Sequence, residues 1–275
     1  MTGIAWGPLG VNLTATAGAL LALMLAVFGY ALSRNRHRAI DAVWGAAFAL
    51  VAVISFLLST GHGDVERRLL LTALTMVWGL RLAVHIGLRG RGAPEDPRYE
   101  AFLAKARGSR TWFAFTRIYL LQGFLVWFVS LPVQFGQYAA GDTRTTASTV
   151  VAAVAVAVGC ALWVLGLVFE AIGDWQLSRF KADPANRGKL MRTGLWRYTR
   201  HPNYFGDACV WWGLFLVAAS SWPAWLTVLS PAVMTWLLTR GSGKPLLEAR
   251  LAATRPDFAD YAVTTSGFLP RRPRR

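Results

Sequence analysis

Long uninterrupted apolar stretches, rather than alternating apolar and polar positions, dominate the chain. A helix needs about 20 consecutive apolar residues to cross a bilayer. Seven stretches come close to that length and predict seven transmembrane helices. They lie at 10–32, 42–60, 69–88, 112–135, 148–169, 203–220 and 222–239. The segments between them are too short for a separate soluble domain of about 100 residues. We therefore expect an all-α fold in which residues 1–275 form a single integral-membrane domain.

Basic residues fall almost entirely on one side of this predicted bundle. If the N-terminus is external, the loops that carry most of the positive charge are all cytoplasmic. These are 34–38, 89–110, 179–200 and the tail from residue 240 to the end, Arg271–Arg275 included. The opposite loops hold only Arg67, Arg68 and Arg144. By the positive-inside rule the C-terminus is cytoplasmic and the N-terminus external, which an odd number of spans requires.

This distribution decides what the net charge of +15 means. Topology explains the excess of Lys and Arg, so the sequence predicts membrane lipids and no nucleic acid as partners, and a place in the cell (inner) membrane. Charged residues make up 16% of the chain, against about 25% in soluble domains. Cys160 and Cys209 lie inside apolar stretches without metal-ligand spacing, so no metal site is predicted.

Two carboxylates close the fifth predicted helix. Glu170 and Asp174 are four residues apart and share one helical face. They repel each other unless cations or hydrogen-bond donors face them, and the following loop is rich in Lys and Arg. Two interpretations stay open: helix-end charges that fix topology, or a polar pocket that opens to the cytoplasm and takes a charged ligand.

The segment 193–207 runs directly into the sixth predicted helix. Pro202 suits the first helical turn, where free N–H groups and the helix dipole favour an anion. Asn203 and Asp207 then project an amide and a carboxylate along one face. Three side chains supply positive charge beside them: Arg197, Arg200 and His201. An interfacial belt is the alternative interpretation, although it explains the aromatic residues and not the polar pair.

The C-terminal part reads as a glycine turn at 241–243 followed by a short amphipathic helix under the bundle. Such a helix can close a pocket from below, with Glu248 and Tyr261 as candidate contacts. A purely structural lid fits the pattern equally well.

These residues resemble the steroid 5-alpha-reductase family, in particular its bacterial members of unknown substrate grouped as domain of unknown function 1295. The resemblance covers roughly residues 30–270. It rests on Gly194–Asp207 and on the upstream segments Asp41–Gly45, Val77–Leu82, Arg89–Tyr99 and Arg117–Gly123. Membrane methyltransferases that act on isoprenylcysteine or phospholipid amines carry a segment similar to the first of these, and the upstream segments separate the two groups.

The resemblance implies a membrane reductase that uses NADPH to saturate a C=C bond conjugated to a carbonyl in a steroid or isoprenoid lipid. The helices within about 10–135 would hold the substrate, and 148–270 the cofactor. Candidate NADPH contacts, from the resemblance and from the local supply of cations, are Glu170, Asp174, Lys181, Arg192, Arg197, Tyr198, Arg200, His201, Asn203, Tyr204, Asp207 and Glu248. Glu170 replaces a family amide, Lys181 an arginine and Asp207 a glutamate.

Candidate catalytic residues follow from the same resemblance. Steroid reductases place a carboxyl group on the second helix, and Asp41 is the acid near that position. Their third-helix tyrosine has no counterpart here, because Trp78 occupies the equivalent position. Tyr119 with Gln122 on the fourth helix could take its place in stabilising charge on the substrate oxygen.

Two other functions compete with this one. An S-adenosylmethionine-dependent membrane methyltransferase needs acids or aromatic faces for a sulfonium rather than cations for phosphates. A small transporter needs polar residues along a path to both faces, and we expect no such set near the external ends. The sequence leaves the substrate, the stereochemistry and the oligomeric state open.

Overall fold

The computed structural model describes residues 3–92, 94–140 and 145–274, and Arg144 and Arg275 lie outside them. The described chain is helical, with one isolated β-bridge between Ile4 and Ala139 and no strand. The predicted all-α, multi-pass membrane class is thereby confirmed.

Twelve α-helices are present in the described residues. They are α1 (Trp6–Arg34), α2 (Ala39–Leu58), α3 (Val65–Gly90), α4 (Pro97–Leu103), α5 (Arg110–Ala114), α6 (Leu121–Val129), α7 (Leu131–Tyr138), α8 (Thr146–Ala182), α9 (Pro202–Ala219), α10 (Leu229–Thr239), α11 (Lys244–Thr254) and α12 (Phe258–Thr264). A π-helix, Phe115–Leu120, joins α5 to α6, and 3-10 turns lie at Pro184–Asn186, Gly194–Arg197 and Ala224–Thr227.

Five helical segments of the described chain are long and apolar enough to cross a membrane. They are α1, α2, α3, the run Arg110–Val129 and α8. The sixth predicted span corresponds to the 18-residue α9, whose first two turns contain Asn203 and Asp207. The total of seven spans and the orientation of the termini stay predictions.

The predicted helix at 222–239 is wrong in its extent. A 3-10 turn occupies Ala224–Thr227, and α10 begins only at Leu229 and has 11 residues. Pro223 and Pro231 explain the break, because proline has no N–H to donate and its ring clashes with the preceding turn.

The fifth predicted span forms only the first part of a much longer helix. With 37 residues, α8 is about 55 Å long, whereas the apolar core of a bilayer is about 30 Å thick. Its apolar part exposes many valines, including Val150, Val154 and Val158, as expected for a lipid-facing helix. Glu170 and Asp174 therefore lie within a continuing helix and do not end it.

The described residues form two compact units. The first comprises the chain up to Val156 together with Val217–Ser230, and the second comprises Ala157–Leu216 and the chain from Pro231 onward. In the first unit, α2 and α3 approach closely at Gly45 and Gly79. A Cβ atom placed on Gly45 would lie 2.2 Å from the carbonyl oxygen of Gly79, so neither position has room for a side chain.

Buried polar networks occupy the predicted external end of the first unit. Gln134 accepts hydrogen bonds from Asn12 at 3.1 Å and from Thr16 at 2.8 Å, and donates to Ser130 at 3.0 Å. All four side chains are fully buried. The expectation that this end lacks a polar set is therefore wrong, because residues distant in sequence meet there and pair with one another, although Asn12 Oδ1 has no partner among the described residues.

Two arginines at the same end of α3 are also buried. Arg67 donates to the carbonyl oxygen of Ala139 at 2.9 Å, and Arg68 donates to the hydroxyl of Ser59 at 2.8 Å. Arg68 also lies over the Phe56 ring at 5.0 Å. Backbone and hydroxyl oxygens thus replace the water that these guanidinium groups give up on burial.

Five glycines, which we call the glycine seam, set the helix contact in the second unit. They are Gly159, Gly166 and Gly173 on α8 and Gly206 and Gly213 on α9. Each is seven residues, about two turns, from the next on its helix. A Cβ on Gly166 would lie 2.5 Å from the carbonyl oxygen of Gly206, and the reverse distance is the same. Small residues at such positions let membrane helices pack backbone to backbone.

The glycine seam predicts which glycine substitutions destabilise the protein. Gly206→Ala places a methyl group where a carbonyl oxygen already lies, and we expect it to destabilise the protein by about 1–3 kcal/mol. Gly29→Ala is the matched control, because nothing lies within 4 Å of a Cβ at that position of α1 and alanine is the better helix former. Melting temperatures in detergent compare the two, and a Gly206→Ala variant at least as stable as Gly29→Ala would refute the seam.

Candidate functional site

Glu248 of α11 connects two residues of the segment that precedes α9. One of its oxygens, Oε1, accepts a hydrogen bond from Arg200 Nε at 2.9 Å and lies 3.0 Å from His201 Nε2. His201 is 1% exposed, and its ring stacks on Tyr204 with the centroids 5.1 Å apart. The sequence placed all four residues in one cofactor-binding set, and the structure brings them into contact.

The surroundings of this group perturb its ionisation. Burial acts to raise the pKa of Glu248, but hydrogen bonds from His201 and Arg200 and the charge of Arg200 outweigh it and lower the pKa to about 2. Burial lowers the pKa of His201, although the hydrogen bond with Glu248 opposes that shift. A carboxylate, a guanidinium group and a neutral imidazole are therefore expected at neutral pH.

The same arginines fasten the C-terminal segment. Arg200 donates through Nη1 to the carbonyl oxygen of Ala262 at 2.8 Å and to that of Thr265. Arg192 forms an ion pair with Asp260 at 2.8 Å and lies 5.3 Å from the centre of the Tyr261 ring. These contacts match the lid interpretation of the C-terminal segment, with Arg192 and Arg200 as its attachment points.

Tyr261 also links the C-terminal segment to α8, through Trp196. Its hydroxyl donates to the carbonyl oxygen of Trp196 at 2.5 Å, and the Trp196 ring donates to the carbonyl oxygen of Gly173 at 3.0 Å. Burial raises the pKa of Tyr261, which keeps the phenol protonated as a donor. The sequence analysis gave Tyr261 as a candidate pocket contact. In the structure its hydroxyl contacts the backbone of this same chain.

The two carboxylates of α8 face the first turns of α9. Glu170 and Asp174 are 3% and 6% exposed. The side-chain amide of Asn203 donates to Asp174 at 3.3 Å, and its oxygen accepts the backbone N–H of Tyr204. Because Gly206 lets α9 approach Glu170 closely, the glycine seam positions this acid and amide group. Asp207, one turn further along α9, is half-buried.

The remaining predicted cofactor residues lie at the surface of the second unit. Lys181, Arg197 and Tyr198 are exposed. Lys181 is seven residues beyond Asp174 on α8, so it continues the same face about 10 Å further along the axis. The arrangement therefore combines buried oxygen acceptors with exposed cations in the second unit.

A separate cavity of about 220 Å³ lies within the first unit, at its predicted cytoplasmic end. Its wall combines polar and apolar side chains. The polar ones include Asn35, His37, Glu95, Tyr99, Glu100 and Arg110, and the apolar ones are Leu32, Leu103 and Ala114. A drug-sized ligand needs about 300–1,000 Å³, so this cavity takes a small molecule or one end of a larger one.

The predicted catalytic residues Tyr119 and Asp41 each contact a residue of the cavity wall. The hydroxyl of Tyr119, which is fully buried in the π-helix, lies 3.0 Å from His37 Nδ1. Asp41, in the first turn of α2, accepts a hydrogen bond of 2.5 Å from the hydroxyl of Tyr99. Neither Tyr119 nor Asp41 is part of the wall itself. Segments of π-helix occur frequently at functional sites.

Glu95 holds the loop that carries His37. Its carboxylate accepts the backbone N–H groups of His37 and Arg38, the latter at 3.1 Å. Burial lowers the pKa of His37, the charge of Glu95 acts in the opposite direction, and Arg110 adds to the lowering. A neutral imidazole with a fixed backbone is therefore presented to the cavity.

Sequence reasoning missed His37, Glu95 and Tyr99 as site residues. Glu95 and Tyr99 belong to a segment that supported the resemblance, and His37 stands in a basic loop that we interpreted through topology alone. A histidine beside a predicted helix start was the available signal. The third predicted catalytic residue, Gln122, is half-buried, and no hydrogen bond connects it to this group within the described chain.

Comparisons with known proteins cover most of the chain at family level and less of it at the level of single proteins. The family model described as "Protein of unknown function (DUF1295)" matches residues 27–265. The rat (Rattus norvegicus) protein 3-oxo-5-alpha-steroid 4-dehydrogenase 1 is 33% identical over 82 residues, which is 30% of this chain and 30% of that protein. The match thus spans less than a third of this curated relative. No solved structure gives a significant match.

The Glu248 group predicts a pH dependence of stability. The pKa of His201 is lowered from 6.5, so the unfolded state binds a proton first and stability falls as the pH drops below about 6.5. Glu248, with its pKa lowered from 4.5 to about 2, adds a further loss between those values. Melting curves in detergent from pH 7 to pH 3 measure both.

The variant Glu248→Gln isolates the contribution of Glu248 to the pH dependence of stability. It leaves the buried guanidinium group of Arg200 without its carboxylate, and we expect a loss of about 1–3 kcal/mol at pH 7. The difference from wild type should shrink as the pH falls below about 4.5. Glu66→Gln, at an exposed position of α3, is the control. A Glu248→Gln variant as stable as this control at pH 7 would contradict the assignment.

Proposed function

The chain belongs to the family described as protein of unknown function DUF1295, and from that premise we propose that it is an NADPH-dependent membrane reductase. The proposed reaction saturates a C=C bond conjugated to a carbonyl group in a lipid-like substrate, a steroid or an isoprenoid. In this proposal the protein lies in the cell (inner) membrane with the cofactor on the cytoplasmic side, which the charge distribution supports.

The rat relative supports the reaction type. Its name describes dehydrogenation at position 4 of a 3-oxo-5-alpha-steroid. The reverse of such a step saturates a double bond next to a carbonyl group. The 82 matching residues support an oxidoreductase at the level of the family, and the lipid class follows from the apolar helices that surround any substrate.

The buried acid and amide group is the observation on which the cofactor proposal rests. Glu170 and Asp174 stay buried opposite Asn203 in an otherwise apolar helix pair. Ionisable groups inside membrane helices cost free energy, and they are typically functional where they occur. Carboxylates and an amide suit the carboxamide and hydroxyl groups of a nicotinamide nucleotide.

The phosphates of NADPH need positive charge. Lys181 and Arg197 are exposed, and the N-terminus of α9 adds free N–H groups. Arg192 and Arg200 are already engaged by the C-terminal segment, so we assign them to holding that segment against the site. The donor set of the second unit therefore fits NADPH, which would supply a hydride to the substrate.

The catalytic requirement at the substrate is a hydrogen-bond donor. When a hydride reaches the β carbon of an enone, negative charge moves to the carbonyl oxygen, and a preorganised donor there lowers the barrier. Tyr119 and Asp41 were predicted for this role with Gln122. In the first unit Tyr119 contacts His37 and Asp41 accepts a hydrogen bond from Tyr99, so the two candidates lie in two separate hydrogen-bonded pairs.

A methyltransferase of the isoprenylcysteine or phospholipid type is not favoured by the family match or by the rat relative. The two functions differ in their cofactor, since S-adenosylmethionine carries a sulfonium and no phosphate. A direct binding comparison therefore separates them.

Thermal stability in detergent provides that comparison. A ligand at 100 times its Kd stabilises the folded state by about 2.7 kcal/mol, so NADPH should raise the melting temperature by several degrees and S-adenosylmethionine should not. Asn203→Ala and Asp207→Ala should abolish the NADPH shift, whereas Glu66→Gln should retain it. A protein that saturating NADPH leaves unchanged would exclude the reductase, and a shift kept by both variants would move the cofactor site away from α9.

A further inference from the structure

Some of the candidate residues in the first unit line its cavity, and others lie behind the lining residues. His37 and Tyr99 belong to its wall, whereas Tyr119 and Asp41 do not. Each wall residue has one of the hidden residues as its hydrogen-bond partner. The wall residues are therefore the ones that a molecule in the cavity can meet.

The wall also contains three exposed donors, Asn35, Arg110 and Thr111. Of the two wall residues that have a hidden partner, only His37 has a hydrogen left to donate. The single hydroxyl hydrogen of Tyr99 is directed to Asp41 at 2.5 Å, so Tyr99 can offer a ligand only its lone pairs. His37 has two ring nitrogens, and its Nδ1 is engaged by the hydroxyl of Tyr119 at 3.0 Å. Its Nε2 is left for a ligand.

The contact with Tyr119 also determines what Nε2 can do. If the hydroxyl of Tyr119 donates to Nδ1, the imidazole proton is on Nε2, and His37 presents an N–H donor to the cavity. The backbone of His37 is fixed by Glu95, and the ring is 8% exposed. Such a donor is preorganised, as stabilisation of a developing oxyanion requires.

We infer that the cavity receives the carbonyl-bearing end of the substrate and that His37, through Nε2–H, is the donor to the carbonyl oxygen, with Tyr119 as its positioning residue. This inference rests on the proposed reductase function and names the residue that serves it. The size of the cavity fits one end of a lipid, because about 220 Å³ is below the volume that a whole drug-sized ligand needs.

The step balances with a hydride from NADPH and one proton from solvent water. The hydride and its electron pair form the C–H bond at the β carbon, the π electrons move to the α carbon and the carbonyl oxygen, and the α carbon takes a proton from water. NADPH is oxidised to NADP⁺ and the enone is reduced to a saturated ketone. His37 donates a hydrogen bond to the oxygen throughout and transfers no proton.

A phenol tests the donor without turnover, since its oxygen resembles that of the enolate. The probe is 2-naphthol, whose fluorescence reports on hydrogen bonding, added to the full-length protein in detergent. We expect wild type to bind it and His37→Gln to bind about tenfold more weakly, the range expected for one hydrogen bond. His62→Gln, in the loop before α3, is the matched control and should bind as wild type does.

The NADPH-dependent reaction provides the second measurement. With a 3-oxo-4-ene steroid as substrate, loss of one preorganised donor should lower kcat about 100-fold or more in His37→Gln. Tyr119→Phe should lower kcat less and leave KM almost unchanged. Without the Tyr119 hydroxyl, the imidazole of His37 can carry its proton on Nδ1 and then has no N–H at Nε2. Thermal shifts with NADPH should be the same in both variants as in wild type.

The outcomes separate the two proposals. If wild type does not bind 2-naphthol, or if His37→Gln binds it as tightly as wild type does, the inference about His37 is overturned, whatever NADPH does. If NADPH fails to stabilise wild type while His37 still governs binding of the phenol, the reductase function fails and the cavity remains a site for an oxygen-bearing ligand.

Discussion

Polar side chains in an apolar helical protein cannot be satisfied by lipid, so each buried one needs a partner from the same chain. Several buried polar groups of the described residues have such a partner. In the first unit Asn12 donates to Gln134, and Arg67 donates to the carbonyl oxygen of Ala139. In the second unit Asn203 donates to Asp174.

The constraint also separates structural from functional polarity. The networks around Gln134 consist of hydroxyl, amide and backbone groups that pair with one another. Arg200, His201 and Glu248 likewise use their polar groups to fasten the C-terminal segment. His37 differs, because its Nδ1 contacts Tyr119 and the residue lines a cavity. A polar group that is positioned on one side and open on the other is suited to a ligand.

Close backbone approach is what makes the acid and amide group of the second unit possible. Asp174 and Asn203 are 29 positions apart, and they come together because Gly166 and Gly206 leave no side chain between their helices. The same residue type brings α2 and α3 together at Gly45 and Gly79 in the first unit. Larger residues at these positions would separate the helices and, with them, the polar groups.

The sequence by itself determined the helical membrane class, because apolar stretches of bilayer length have no other stable form in lipid. It also identified Asp41, Asp174 and Asn203 as polar groups beside apolar runs. Tyr119 followed from the family resemblance, and Glu248 from the amphipathic pattern of the C-terminal helix. Only the tertiary structure showed their partners. Partners such as His37 for Tyr119 or Tyr99 for Asp41 lie 82 and 58 positions away, and no local pattern encodes a hydrogen bond across that separation. The same holds for α10, which two prolines shorten, and for α8, which continues past its acids because helix length depends on tertiary contacts as well as on hydropathy.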